Sequence, residues 1–309
     1  MLPPPLSRDA MFINISFAPV ETAFREFVSH YGFIFDAIKG VLLQVFLVPL
    51  EDALRGAPPW LILLGVGLIA YHATRHWLPP LFYVLCLYLV GCFGLWDKLM
   101  STTALMLVST AICVVFGIPI GILISRSNWL RAIALPILDV MQTMPSFVYL
   151  IPMIFLWGVG QVSAIFAIVV YAIPPLIRLT DLGIRQVDRE VVEAATSFGT
   201  TPWQLLLNVQ LPLARPSIMA GINQTVMMAL AMVVLATLIG ARGLGETVNQ
   251  GIANLEIGTG LQGGVAIVLL AIVIDRITQA YGMDARQRRQ RLLKGGSFAN
   301  FQRTTGEKA

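Results

Sequence analysis

The sequence predicts an all-α integral membrane protein of about seven transmembrane helices, with its N-terminus outside and its C-terminus in the cytoplasm. Three observations carry that expectation. Of the 309 residues 57% are apolar and only 12% are charged, with a mean hydropathy of +0.77, whereas soluble domains average about 25% charged. Apolar runs recur at close to the roughly 20 residues that a helix needs to cross about 30 Å of hydrocarbon. Positive charge is also segregated: of 21 Lys and Arg residues, only Arg8, Arg25, Lys39, Arg55, Lys98 and Arg242 fall in segments expected outside, leaving 15 for the cytoplasm, where such residues collect. The net charge of +4 therefore reflects topology. Nucleic-acid binding would need clustered Lys and Arg with interleaved aromatics on a soluble face.

Residues 1–57 are expected to form an extracytoplasmic segment. Its start, MLPPPLSRDAMFINISF, lacks the apolar core and cleavage site of a secretory signal. Phe24, Phe27, Val28, Tyr31, Phe35 and Ile38 then recur at helical spacing, with Glu21, Arg25, Glu26, Asp36 and Lys39 largely on other faces. That pattern predicts an amphipathic interfacial helix. The following run VLLQVFLVPL (41–50) is too short to cross, and predicts either a re-entrant segment or one lying against the bundle.

The transmembrane domain is expected over 58–282, with spans near 58–74, 78–96, 101–124, 132–157, 161–178, 214–240 and 261–281. The first is the weakest, because its apolar part, WLILLGVGLIAY, has only 12 residues; six crossings are the alternative. The fourth carries Pro136, Asp139, Pro145 and Pro152. Proline removes a backbone hydrogen bond and kinks a spanning helix, which is tolerated beside protein or a cavity, so this span is expected to line something. Residues 283–309 predict a basic cytoplasmic tail, at most partly ordered.

Enzyme chemistry finds no support. No HExxH, GxSxG or paired-aspartate constellation lies at helix depth, so no catalytic residue is assigned. His72 and His76 are four apart but lack further ligands, and Cys86, Cys92 and Cys113 lie in apolar runs without CxxC spacing; no metal site is expected. The glycines of GARGLG (Gly240, Gly243, Gly245) follow no strand and predict a tight turn. A GxxxxGK[ST] phosphate loop is absent, so no cofactor is expected on this chain, and ATP with its Mg belongs on another. A secondary transporter is the rival class, but it would show inverted repeats or intramembrane coupling charges, and no repeat is visible.

The longest cytoplasmic loop, 179–213, reads as two short helices, Arg189–Ser197 and Pro202–Val209. Thr201 is placed to cap the second, with Pro202 at its first position, and Gly199 stands where a helix end favours a left-handed residue.

The residues of this loop resemble a known pattern. Glu193-Ala194-Ala195, then Gly199 after three residues, then Val209-Gln210-Leu211-Pro212 after nine more, is similar to the EAA motif of membrane subunits of binding-protein-dependent ABC importers. It departs only in Val209 for Ile. The stretches 141–160, 198–252 and 263–282 resemble the glycine betaine/proline betaine type, which includes choline, carnitine and some histidine or trimethylamine N-oxide systems. The resemblance covers about two thirds of the chain, and the first hundred residues share it only in plan. It implies the MetI-like fold, location in the bacterial inner membrane, and a coupling role for Glu193, Ala194, Ala195, Gly199, Val209, Leu211 and Pro212. It further implies a permease homodimer with two ATPase subunits and a separate receptor, periplasmic or lipid-anchored. No receptor domain fused to this chain is expected.

Polar residues in the spans are the candidates for a translocation path. Asp139 lies between prolines, and Asn223, Gln224 and Thr225 are consecutive in the sixth span; capping and interhelical hydrogen bonding are the alternative roles. Asp275 is expected to pair with Arg276. Phe147, Tyr149 and Trp157 could cage a quaternary ammonium, but packing or interface anchoring is the preferred reading, since selection belongs to the receptor.

Overall fold

The computed structural model describes residues 18–282, and every regular element in that range is helical. The chain start and the basic tail thus lie outside the described residues. In order the helices are α1 (Ala18–Val41), α2 (Val48–Gly56), α3 (Pro59–Thr74), α4 (Leu78–Cys92), α5 (Trp96–Arg126), α6 (Asn128–Thr143) and α7 (Leu150–Trp157). They continue with α8 (Gln161–Arg185), α9 (Arg189–Ser197), α10 (Pro202–Leu205), α11 (Leu211–Ala236), α12 (Leu244–Ala253) and α13 (Ile257–Gly282).

The core is formed by α5, α8 and α11, and small residues let their backbones close on one another. A methyl group at Gly121 of α5 would sit 2.6 Å from Thr180 Cβ and 2.8 Å from the Ile177 carbonyl of α8; one at Gly183 of α8 would sit 2.7 Å from Ser217 Cβ of α11. Lipid supplies no hydrophobic drive between helices, so close van der Waals packing through small residues must do so. Ala164, Ala167, Ile168 and Leu176 of α8 are fully enclosed, and Trp129, Leu123 and Phe116 are among the large apolar side chains left outside. That inversion is expected of a protein solvated by hydrocarbon.

Among the described residues, length and composition qualify five helical stretches to cross a membrane: Glu21–Gly56, α5, α8, Pro202–Ile239 and α13. A bent pair brings the number to six, and α3 and α4, with 16 and 15 residues, are shorter than a full crossing.

The amphipathic segment and the 41–50 run form one rod rather than two separate pieces. The join is a π-helical turn, Leu42–Leu47, in which the Val48 N–H donates to the Leu43 carbonyl immediately before Pro49. The wider turn leaves room for a proline ring that would clash in an α-helix. The rod is tied to the bundle by Phe24 on Phe155, Phe35 on Trp157, Lys39 Nζ on the Trp157 carbonyl, and Glu51 on Ser101 and Gln161. From Phe24 to Glu51 is about 40 Å along a helix, yet these partners all lie at one end of α5, α7 and α8. The rod therefore runs across that end of the bundle.

The expected span 132–157 is broken rather than kinked. Helix α6 stops at Thr143, Met144 is extended (φ −66°, ψ 136°), and the chain resumes as a 3₁₀ turn, Ser146–Tyr149, leading into α7; the two halves meet at 108°. The residue before a proline is driven out of the helical region, and Met144 precedes Pro145. Tyr149 Oη donates to the Met141 carbonyl, which satisfies one of the acceptors the break exposes.

Candidate functional site: a hairpin and its anchorage

At the end of the bundle opposite the α1–α2 rod, residues 188–210 project as a hairpin. Asp188 caps α9 by accepting from the Glu190 N–H at 3.0 Å. The helix ends with Phe198 N–H on the Ala194 carbonyl and Gly199 N–H on the Thr196 carbonyl, and Gly199 is left-handed at φ 79°. Thr201 and Gln204 then form a reciprocal capping box with Pro202 in the first turn. Helix α9, the left-handed glycine and the cap stand where the sequence places them. The expected end of the second helix at Val209 does not occur: α10 passes through a second π-helical turn, Leu206–Gln210, in which the Leu211 N–H donates to the Leu206 carbonyl just before Pro212. It is the device seen before Pro49. Val209, Leu211 and Pro212 consequently belong to a continuous stretch, Pro202–Ile239, so the second arm of the hairpin is rigidly joined to a core helix.

The motif residues occupy distinct surroundings. Glu193 and Ala194 are exposed, Ala195 is half-buried with its carbonyl accepting from Thr200 Oγ1 at 2.8 Å, and Pro212 is exposed. Among the described residues the Glu193 carboxylate holds no ion pair. It lines a cavity of about 220 Å³ between the hairpin and the bundle, together with Arg126, Arg185, Arg189 and Gln210.

One connection reaches the hairpin directly and two brace the helix ends beside it, and none of them was singled out from the sequence. Arg126 Nη2, at the end of α5, donates to the Pro202 carbonyl at 3.0 Å. Arg185, at the end of α8, donates to Asn128 Oδ1 at 2.8 Å and to the Ile124 carbonyl at 3.2 Å. Asp181, 1% exposed, accepts from Arg185 Nε at 2.8 Å and from Arg131 Nε of α6 at 3.0 Å. The Asp181–Arg185 spacing of four on a helix is the sequence signal that could have flagged this clamp. Sequence reasoning also missed two large exposed aromatics flanking the turn, Phe198 (90% exposed) and Trp203 (67%).

The intramembrane polar residues separate. Asn223 Nδ2 donates to Asp275 Oδ1 at 3.0 Å, and Gln279 Nε2 donates to both Asp275 oxygens. Asp275 is thus paired with Asn223 and Gln279 rather than Arg276, because adjacent helical positions face different ways. Gln224 is exposed, and Thr225 is enclosed, its hydroxyl without a partner among the described residues. Asp139 of α6 is bound by Arg178 Nη2 of α8. Phe147 is exposed, whereas Trp157 stacks on Phe166 with ring centres 4.0 Å apart. His72 Nδ1 lies 3.2 Å from Tyr281 Oη. In GARGLG, Gly240 and Gly243 have φ of 86° and 147°, and the Leu244 N–H donates to Thr102 Oγ1 at 2.8 Å, making the expected turn.

Long apolar helices around a closely packed core, with a short capped hairpin rigidly joined to them at one end, define a membrane-spanning transport subunit. Residues 114–286 match the family described as the binding-protein-dependent transport system inner membrane component, and the chain belongs to that family. It is a multi-pass inner-membrane permease of an ABC importer. It is 43% identical over 264 residues to the glycine betaine/proline betaine transport system permease protein ProW of Escherichia coli (strain K12), covering 85% of this chain and 74% of that one. It is 46% identical over 232 residues to the glycine betaine/carnitine transport permease protein GbuB of Listeria monocytogenes serotype 1/2a (strain 10403S), covering 74% and 82%. It is 43% identical over 249 residues to the glycine betaine transport system permease protein OpuAB of Bacillus subtilis (strain 168), covering 81% and 88%. Among solved structures, an inward-facing form of the MetNI methionine ABC transporter matches with a TM-score of 0.54 at 23% identity, over 63% of this chain and 98% of that one. That likeness establishes the MetI-like fold.

Proposed function

We propose that this permease moves glycine betaine, proline betaine or a closely related quaternary-ammonium osmolyte into the cell, driven by ATP bound with Mg on a separate ATPase. The observation that carries the coupling half of this reading is the exposed hairpin built around Gly199, with Phe198 and Trp203 uncovered beside it. Large exposed aromatics on a rigid support are the residues that seat in a partner's pockets. The substrate half is supported by the named activities of the relatives at 43–46% identity.

On this reading two copies of the chain pair, each receiving one ATPase subunit at its hairpin, and a separate receptor delivers substrate at the opposite end. The hairpin end faces the cytoplasm. Arg126, Arg131, Arg185, Arg189 and Arg215 are gathered near it, while Arg25, Lys39 and Arg55 lie on the rod across the other end, in keeping with positive residues remaining inside. Lipid surrounds the exposed apolar faces, and no cofactor resides on this chain.

The test is reconstitution in liposomes with the ATPase and the receptor. Uptake of labelled glycine betaine should require the receptor and be competed by proline betaine or choline. Uptake without any receptor, or a preference for sugars or phosphate, would refute the assignment. A preference for carnitine would place the chain beside the betaine/carnitine relative instead.

A further inference from the structure

We propose that Asp139 and Arg178 form a substrate site in the translocation path that exchanges partners with a zwitterion, Arg178 taking the carboxylate and Asp139 the cationic nitrogen. The proposal rests on the importer reading above and adds the place where the permease itself contacts its cargo.

Four features of the structure meet at this pair. The first is exposure. Asp139 and Arg178 are hydrogen-bonded across α6 and α8, yet their side chains are 61% and 37% exposed. Arg178 stands at the boundary of the expected span 161–178, two turns from the hairpin end of α8, and Asp139 lies in α6, one half of the bent pair; a charge facing hydrocarbon is expensive, and such residues face water or protein instead. The open side of the pair is therefore placed to face water or protein rather than lipid.

The second is the pattern of α6. Asn128, Arg131, Asp139 and Gln142 fall on one stripe at helical spacing, interrupted only by the half-buried Leu135, while the exposed Ile133, Ile137 and Val140 share the opposite one. A spanning helix with one mainly polar and one apolar stripe separates water from lipid.

The third is the break in the chain at Met144–Pro145, little more than one turn beyond Asp139. Irregular backbone at membrane depth is tolerated where it lines a cavity or is covered by protein.

The fourth is an orphaned donor. Among the described residues Arg178 Nε is buried and unpartnered, whereas Nη2 is held by Asp139. Guanidinium binds a carboxylate best through two parallel N–H bonds, and the Nε–Nη2 edge is half used. A carboxylate bound along that edge would satisfy Nε and displace Asp139 from Nη2. The released Asp139 would then face the positive nitrogen of the same molecule. Charge stays balanced before and after, so neither state leaves an uncompensated ion in the span. A zwitterion satisfies both halves of the exchange; a sugar satisfies neither.

The experiment uses the complete transporter in liposomes, with glycine betaine uptake and receptor-stimulated ATP hydrolysis measured in the same vesicles. Arg178→Gln and Asp139→Asn should each lower the betaine moved per ATP hydrolysed by about tenfold or more, the scale of one lost charge-assisted hydrogen bond. The charge-swapped double variant, Asp139→Arg with Arg178→Asp, should not recover it, because the guanidinium edge then stands on α6 and the carboxylate on α8, which reverses the orientation in which the site would hold the two ends of the zwitterion. A pair that is only a strut between α6 and α8 would lower uptake and hydrolysis together at a constant ratio, or be restored by the swap. Either result overturns the proposal. The wild type separates this failure from that of the substrate assignment: if it carries a different zwitterion, the same ratio measured with that solute decides, and if it carries only uncharged solutes, both readings fall.

Discussion

Replacing Phe198 with alanine should weaken ATPase docking while leaving the permease folded. The ring is 90% exposed beside the left-handed Gly199, so its loss creates no cavity and the intrinsic cost should stay within about 0.5 kcal/mol, as for an ordinary surface substitution. In a complex the balance differs. An aromatic side chain buries roughly 150–250 Å² when covered, and at about 25 cal/mol per Å² a half-covered ring contributes about 2–3 kcal/mol. That corresponds to about 30- to 150-fold in dissociation constant. The assay is equilibrium binding of the purified ATPase to permease in nanodiscs, with thermal unfolding of the permease alone as the control. Binding within twofold of wild type would show that Phe198 does not enter the interface, and the hairpin would lose its clearest anchor. A fall in permease stability equal to the binding loss would show that the ring is needed for the fold instead.

Three further outcomes follow from the geometry. Gly199→Val should impair ATPase coupling more than permease stability: among the described residues a side chain there meets nothing within 4 Å, so the penalty is the left-handed backbone at φ 79°, about 1–2 kcal/mol, and Gly199→Asn should retain most coupled hydrolysis. Gly251→Val should lower the permease's thermal stability sharply, by about 3 kcal/mol or more, because its Cβ would sit 2.3 Å from the Gly260 nitrogen across the α12–α13 contact; Gly264→Ala, which meets open space, serves as the neutral comparison. Asp181→Asn should cost about 1–3 kcal/mol in the same measurement, less than a fully buried pair would, since Arg131 and Arg185 are 39% and 27% exposed and can turn to solvent. It should also reduce uptake by loosening the support of the hairpin.

The hairpin was legible because its rules are local. A capping threonine, a proline at the first helical position and a glycine at a helix end act within a few residues, and Thr201, Pro202 and Gly199 stand as those rules require. Composition and the lengths of apolar runs determined the membrane class in the same direct way. What each proline does was not local. Pro145 breaks a helix, whereas Pro49 and Pro212 each follow a π-helical turn that keeps the rod intact, and which response occurs depends on what surrounds the strained turn. Partner choice was equally out of reach. Asp275 meets Asn223 from 52 positions away, Asp181 draws Arg131 across 50, and Asp139 meets Arg178 across 39; spacing along one helix says which face a side chain occupies, but only the packing of α6, α8, α11 and α13 against one another decides what stands opposite it.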